Sequence, residues 1–275
     1  MWEKINKFVH SHVVLSTSLL GILFMLAILA VGILTMLNMQ STIGLILFTA
    51  WQIVLTCVAV FLMRKLHIFD ISDFKFKNIG KGFLLGWLFI VLSVILFFLN
   101  FTQLPEDSLI KPNLLNLLIV VLHPFIGTGL LEEVLARGLI LKILLKKMGY
   151  SKKGIINACI ISSAIFGIIH IVNITHSDFL SVASQIIYAT ALGLLFAALY
   201  LRIKTLIVPI LLHGFVNLSG QIFNAIALQP DTQPESDILA VIINTLLVSI
   251  PFIIVGFILL KKVKPDEIVT EKNFA

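Results

Sequence analysis

The sequence predicts an all-α, polytopic membrane protein of about eight transmembrane helices with both termini cytoplasmic. Of its 275 residues, 59% are hydrophobic and only 12% charged. A soluble domain would carry roughly 25% charged residues. That much apolar surface must face something other than water, and a bilayer is the natural solvent. A helix crosses its hydrocarbon core with about 20 apolar residues. Only helices and closed barrels satisfy their backbone groups there. The apolar runs are continuous and do not alternate every second residue, which favours helices over a barrel.

Lys4 and Lys7 precede an apolar stretch from Val13 to Leu37. It is too long for a signal-peptide core, and no small-residue cleavage site follows, so it reads as an uncleaved first span. The expected spans are 13–37, 43–63, 80–101, 113–141, 155–174, 181–201, 206–226 and 238–260. Connections are short, so neighbouring spans should run antiparallel. No internal repeat, low-complexity tract or soluble domain interrupts them. The segment from Phe74 to Trp87 mixes Lys75, Lys77 and Lys81 with Phe74, Phe76 and Phe83, as expected of an anchor on an anionic lipid surface.

The net charge of +6 does not point to nucleic acid, because the basic residues sit in loops between apolar runs. Arg64, Lys65, Lys75, Lys77, Lys81, Lys142, Lys146, Lys147, Lys152, Lys153, Arg202, Lys204, Lys261, Lys262 and Lys264 would share one face with the N-terminus. Of the 20 Lys and Arg, only Lys111 falls clearly on the other side, with Glu106, Asp107, Asp178, Asp231 and Glu235. This asymmetry assigns the basic face to the cytoplasm and favours an even number of spans. Cys57 and Cys159 each lie inside an apolar run, so they read as small buried hydrophobes, not as a disulfide framework.

The chemistry should lie with the polar groups inside the apolar runs, where an ionisable side chain is costly unless paired or hydrated. Three clusters stand out. Glu132, Glu133 and Arg137 lie in the fourth span. Adjacent residues on a helix point about 100° apart, so the two carboxylates meet different neighbours. Glu133 and Arg137 are four apart and share a face; their pairing would leave Glu132 available for chemistry. Phe166 and His170 lie in the fifth span, and His213 and Asn217 share one face of the seventh. Taken singly, each cluster is equally readable as a salt bridge or hydrogen bond between helices. Taken together, a carboxylate beside two imidazoles can polarise water and move its proton. An imidazole and an amide can stabilise an oxyanion. Counting 1.5 Å per residue, Glu132 and His213 lie roughly 13 and roughly 10 Å from the cytoplasmic ends of their spans, and His170 nearer roughly 22 Å. The fifth span must therefore tilt or start deeper. His123 and His176 are assigned no role.

The ordered set Glu132-Glu133…Arg137, Phe166…His170 and His213…Asn217 resembles the EExxxR, FxxxH and HxxxN pattern of the CPBP family, also called the Abi or CAAX-protease family. That family includes prenyl-protein endopeptidases and bacterial bacteriocin-processing and immunity proteins. The resemblance covers roughly residues 115–225. It implies a division into an N-terminal three-span region (1–112), catalytic core helices (113–226), and a last span with a basic tail (227–275). It also implies that Glu132 activates water with His170 positioning it, that Glu133 and Arg137 support the site, that His213 and Asn217 hold the oxyanion, and that Phe166 packs beneath. The expected substrate is a membrane-associated peptide or protein: a CAAX-type protein, a bacteriocin precursor or a peptide signal.

A zinc site would need three protein ligands plus water. Glu133 or Glu132, with His170 and His213, could supply them, but no HExxH helix is present and no obligatory metal is expected. Other intramembrane protease patterns fit worse: Asn217-Leu218-Ser219-Gly220 lacks the first Gly of GxSG, and Leu130 follows Gly127-Thr128-Gly129 where GxGD needs Asp. A proton-coupled transporter and a non-catalytic immunity or scaffold protein remain the alternatives. The expected location is the cell membrane; the high ratio of Lys to Arg and the abundant Ile and Phe fit an AT-rich bacterial genome.

Overall fold

The computed structural model describes residues 8–9, 11–36, 42–102, 104, 109, 111, 113–175, 177–226 and 237–269. Among them the chain is helical, with no β-strand element. The main helices are α1 (Val13–Met36), α2 (Thr42–Lys65), α3 (Ile79–Leu85), α4 (Trp87–Thr102), α5 (Leu114–Met148), α6 (Lys152–Ile168), α7 (Phe179–Ile203), α8 (Ile207–Gln221), α9 (Ile238–Lys261) and α10 (Pro265–Val269). Lys4, Lys7, Glu106, Asp107, His176, Asp231 and Glu235 lie outside the described residues.

Among the described residues, six helices are long and apolar enough to cross a bilayer: α1, α2, α5, α6, α7 and α9. The other two expected spans are helical but differ in form. The third breaks at Gly86, where α3 and α4 meet at a 65° bend. Beside this break Phe76, Leu84 and Trp87 are exposed, which suits α3 to the interfacial position expected for it. The seventh, α8, is apolar but has only 15 residues. Cys57 corrects another expectation: both cysteines are free, but only Cys159 is buried, and Cys57 lies on the exposed side of α2.

Side chains at the helix entries satisfy backbone N–H groups that have no partner within the helix. Asn113 accepts from the N–H groups of Leu115 and Asn116, Ser151 from Gly154, Asp178 from Ser181, and Asp237 from Leu239. The centre of the bundle is α7, which is 72% buried against 17% for α9. Small residues let neighbours close on it: a Cβ on Gly256 of α9 would lie 3.2 Å from Leu194 and 3.3 Å from the Leu195 nitrogen. Small side chains are the usual means of close helix packing where both surroundings are apolar.

At one end of the bundle the basic residues are built into the fold. Lys142 donates to buried Asp73 and, at 3.1 Å, to the Ile68 carbonyl. Tyr200 donates to the other Asp73 oxygen at 2.7 Å. Lys146 reaches the Leu66 carbonyl at 3.2 Å. Lys152 donates to the carbonyls of Leu260, Lys261 and Val263 at 2.6, 2.7 and 2.9 Å. The close of α2, the close of α5, the start of α6 and the ends of α7 and α9 therefore meet at one face, as antiparallel spans with short loops require.

Candidate active site

The fourth span is not a regular α-helix. Residues Pro124–Gly129 and Val134–Ile140 of α5 are π-helical, with the four residues Leu130–Glu133 between them. Pro124 has no N–H to give the ladder. Gly129 brings α5 against α8: a Cβ there would lie 2.6 Å from the Pro124 oxygen and 3.1 Å from the Ile210 oxygen. One turn further along each helix stand Glu133 and His213. The close approach at Gly129 and Ile210 is what sets the carboxylate beside the imidazole.

Glu133 is fully buried, and its Oε1 accepts from Arg137 Nη1 at 2.8 Å and from His213 Nδ1 at 2.9 Å. Arg137 is buried as well. Its guanidinium lies 4.6 Å from the ring centre of Phe166 and 5.2 Å from that of Phe196, and its Nη2 donates to the Gly193 carbonyl at 3.1 Å. The cation is thus held by one carboxylate, one carbonyl and two aromatic faces. Because a carboxylate accepts, His213 Nδ1 carries the proton of that contact. Its Nε2 then faces Glu132 Oε2 at 3.6 Å, too far for a direct hydrogen bond. The His213 ring stacks on Phe196, with centres 5.5 Å apart and planes at 22°.

His170 follows the end of α6, in the 3-10 turn Ile169–Thr175. Its Nδ1 donates to the Phe166 carbonyl at 2.8 Å, which leaves Nε2 as the acceptor. The Phe166 ring meets the His170 ring edge-on at 5.2 Å and the His213 ring edge-on at 6.2 Å. Phe166 thus packs under both imidazoles and against Arg137. His170, His213 and Asn217 line one cavity of about 490 Å³ with Phe89, Leu92, Leu96, Tyr188, Phe196 and Val248. Glu132 is outside that lining and adjoins the cavity through His213. The cavity runs along α7 from Phe196 to Ser184, so His213 and His170 line one space.

Among the described residues, no three His, Cys, Asp or Glu side chains are grouped so as to hold a metal ion. Glu133 Oε1 is already shared by Arg137 and His213, and His170 Nδ1 is turned to a carbonyl.

Residues 114–219 match the model of the Rce1-like family, described as type II CAAX prenyl endopeptidase Rce1-like. This segment is similar to an Rce1-like core. Members of the family are CAAX-type intramembrane endopeptidases, which makes the protein a hydrolase of that general kind. Comparison with curated proteins and with solved structures yields no match. The matched segment contains all three motifs singled out in the sequence, and the fold brings them to one place.

Several residues of the site were not visible in the sequence. Phe196, Phe89 and Leu192 look like ordinary core positions, and Gly193 contributes only a carbonyl. His123, given no role, belongs to a separate buried cluster. Thr49 donates to the Leu45 carbonyl at 2.7 Å and so accepts from His123 Nδ1 at 2.9 Å. Gln52 reaches Thr128 at 3.3 Å, and Thr128 faces His123 Nε2 at 3.3 Å. This cluster ties α2 to the first π-helical stretch of α5.

Proposed function

We propose that the protein hydrolyses a peptide bond of a membrane-associated peptide or protein with water activated by Glu132. The observation that carries this reading is the position of His213 between two adjacent carboxylates: Nδ1 bonded to Glu133 at 2.9 Å, and Nε2 facing Glu132 at 3.6 Å, beside an apolar cavity.

Glu133, Arg137 and the two phenylalanine rings fix the His213 ring. Glu132 accepts no hydrogen bond among the described residues and has a side chain 19% exposed, the state expected of a base that must move a proton. Water held by Glu132 and by the free Nε2 of His170 gives its proton to the Glu132 carboxylate as its oxygen attacks the scissile carbonyl. The oxyanion that forms is stabilised by the Asn217 amide and by His213, whose protonated ring is balanced by Glu133. Glu132 then returns the proton to the departing amine, so that no nucleophilic side chain and no metal is needed. The cavity, mainly apolar with a few polar groups, has the size and character of a site for one apolar segment of substrate.

Detergent-purified protein incubated with a fluorogenic peptide library tests the reading. The expected result is cleavage that survives a chelator and disappears in Glu132→Ala. Full activity in both Glu132→Ala and His213→Ala would falsify it; cleavage abolished by the chelator would replace the metal-free route with a metal-dependent one.

A further inference from the structure

The residues lining the cavity grade from fully buried to exposed along its length. Phe89, Phe166 and Phe196 form the buried end, at 0%, 3% and 2% exposure. Asn244 and Gly220, which also line it, are exposed, and Ser184, Gln185 and Gln221 are half-buried. These exposed and half-buried residues sit at matching ends of their helices. Ser184 and Gln185 lie in the first two turns of α7, Asn244 in the second turn of α9, and Gln221 at the last position of α8. The helix caps Asp178 and Asp237 lie at this same end.

The opposite ends of these helices are the basic face. Arg202 near the end of α7 donates to the Lys262 carbonyl just past α9 at 2.5 Å. Lys152 at the start of α6 donates to the carbonyls at the end of α9. Lys142 and Lys146, near the end of α5, reach Asp73, Ile68 and Leu66 in the connection after α2. The cavity mouth and the lysine-rich face are therefore at opposite ends of one bundle. Lysine-rich connections of this kind are retained on the cytoplasmic side of a membrane.

We infer that the cavity opens to the non-cytoplasmic side, and that its substrate is a peptide segment presented from that face, either exported or carried by a membrane protein. A substrate confined to the cytoplasm meets the buried end. The mouth suits an extended peptide: the amides of Gln185, Gln221 and Asn244 offer donors and acceptors to a backbone, and the apolar walls below take side chains. Gln185 Oε1 already accepts from Asn173 at 2.7 Å, which directs its N–H donors away from Asn173. The identity of the substrate rests on the endopeptidase reading above; the face to which the cavity opens does not.

The test is made on the full chain in a bacterial host, with Cys57 and Cys159 replaced by Ala. Asn244→Cys and Lys147→Cys are introduced singly and exposed to a membrane-impermeant maleimide, in intact cells and in inverted membrane vesicles. Asn244→Cys is expected to label in intact cells and Lys147→Cys only in inverted vesicles. The reverse pattern overturns the inference, and so does labelling of Asn244→Cys only after detergent is added. A charged, impermeant quenched peptide is then supplied to each face of the unsubstituted protein, with Glu132→Ala as the blank. Cleavage confined to inverted vesicles overturns the substrate assignment. If neither face shows cleavage that depends on Glu132, the endopeptidase reading fails while the labelling still decides the face.

Discussion

His213 and Glu133 share one proton contact, Nδ1 to Oε1 at 2.9 Å, that joins the seventh expected span to the fourth. The same carboxylate oxygen accepts from Arg137 at 2.8 Å. Two neighbouring glutamates therefore have different physical tasks, and amide substitutions should separate them. Glu133→Gln removes the counter-charge of a buried guanidinium and should cost about 3–5 kcal/mol of stability, read as a lowered midpoint of thermal unfolding in detergent. Glu132→Gln removes a half-buried group without a hydrogen-bond partner among the described residues. It should unfold close to the unsubstituted protein while losing about 10²–10⁴-fold in peptidase rate. Equal loss of stability in both would show that Glu132 too is chiefly structural.

Arg137→Lys tests whether shape or charge holds Glu133. An ammonium keeps the charge but has no planar face to lie between Phe166 and Phe196, and it cannot reach Glu133 and the Gly193 carbonyl as a fork. The loss of the stacked contacts alone should amount to about 0.5–2 kcal/mol. Peptidase activity should fall further than stability, because His213 loses the fixed carboxylate that orients it. Unfolding curves and initial rates measured on the same preparation give the comparison; unchanged rates in the Lys variant would contradict it.

Much of this site was legible in the sequence because helical spacing is a local property. Glu133 and Arg137, four residues apart, were expected to pair and do so. Phe166 and His170 share a face for the same reason, and the runs of apolar residues located the long helices. What spacing cannot state is which helices adjoin. That His213 bonds to Glu133, and that α7 supplies Phe196 and the Gly193 carbonyl, depends on packing between elements far apart in the chain. The π-helical stretches around Leu130–Glu133 were foreshadowed only by Pro124, Gly127 and Gly129. The bend at Gly86 was foreshadowed only by the mixed Lys and Phe segment that ends at Trp87, not by a gap in the apolar run.

The Gly129 contact gives a prediction about precision. A methyl group at this position would press on the Pro124 and Ile210 carbonyl oxygens, neither of which can rotate away as a side chain would. Gly129→Ala should cost about 1–3 kcal/mol through overpacking. It should also shift α5 from α8 near Glu133 and His213. A displacement of this kind reduces rates by about 10²-fold, so activity should fall in protein that remains folded at low temperature. Gly80→Ala, where a Cβ would meet nothing within 4 Å, serves as the control and should retain both stability and rate.

The Asp73 cluster predicts the opposite division between stability and activity. Asp73 is 3% exposed and accepts from Lys142 and Tyr200, while its own carbonyl accepts from the Leu206 N–H at 2.7 Å. It fastens the connection between α2 and α3 to the closing turns of α5 and α7, at the end of the bundle away from the cavity mouth. Asp73→Ala would leave the Lys142 ammonium buried without its carboxylate and should cost about 3–5 kcal/mol. Tyr200→Phe removes one hydrogen bond to a charged acceptor and should cost about 1.5–3 kcal/mol. A double-mutant cycle between Asp73→Ala and Lys142→Met should show coupling of about 0.5–3 kcal/mol, with the double variant more stable than Asp73→Ala alone because no unpaired charge remains. Peptidase rates measured well below the unfolding transition should be little changed in each of these variants. A large loss of rate in folded Tyr200→Phe would instead mean that the basic end of the bundle and the catalytic groups move together.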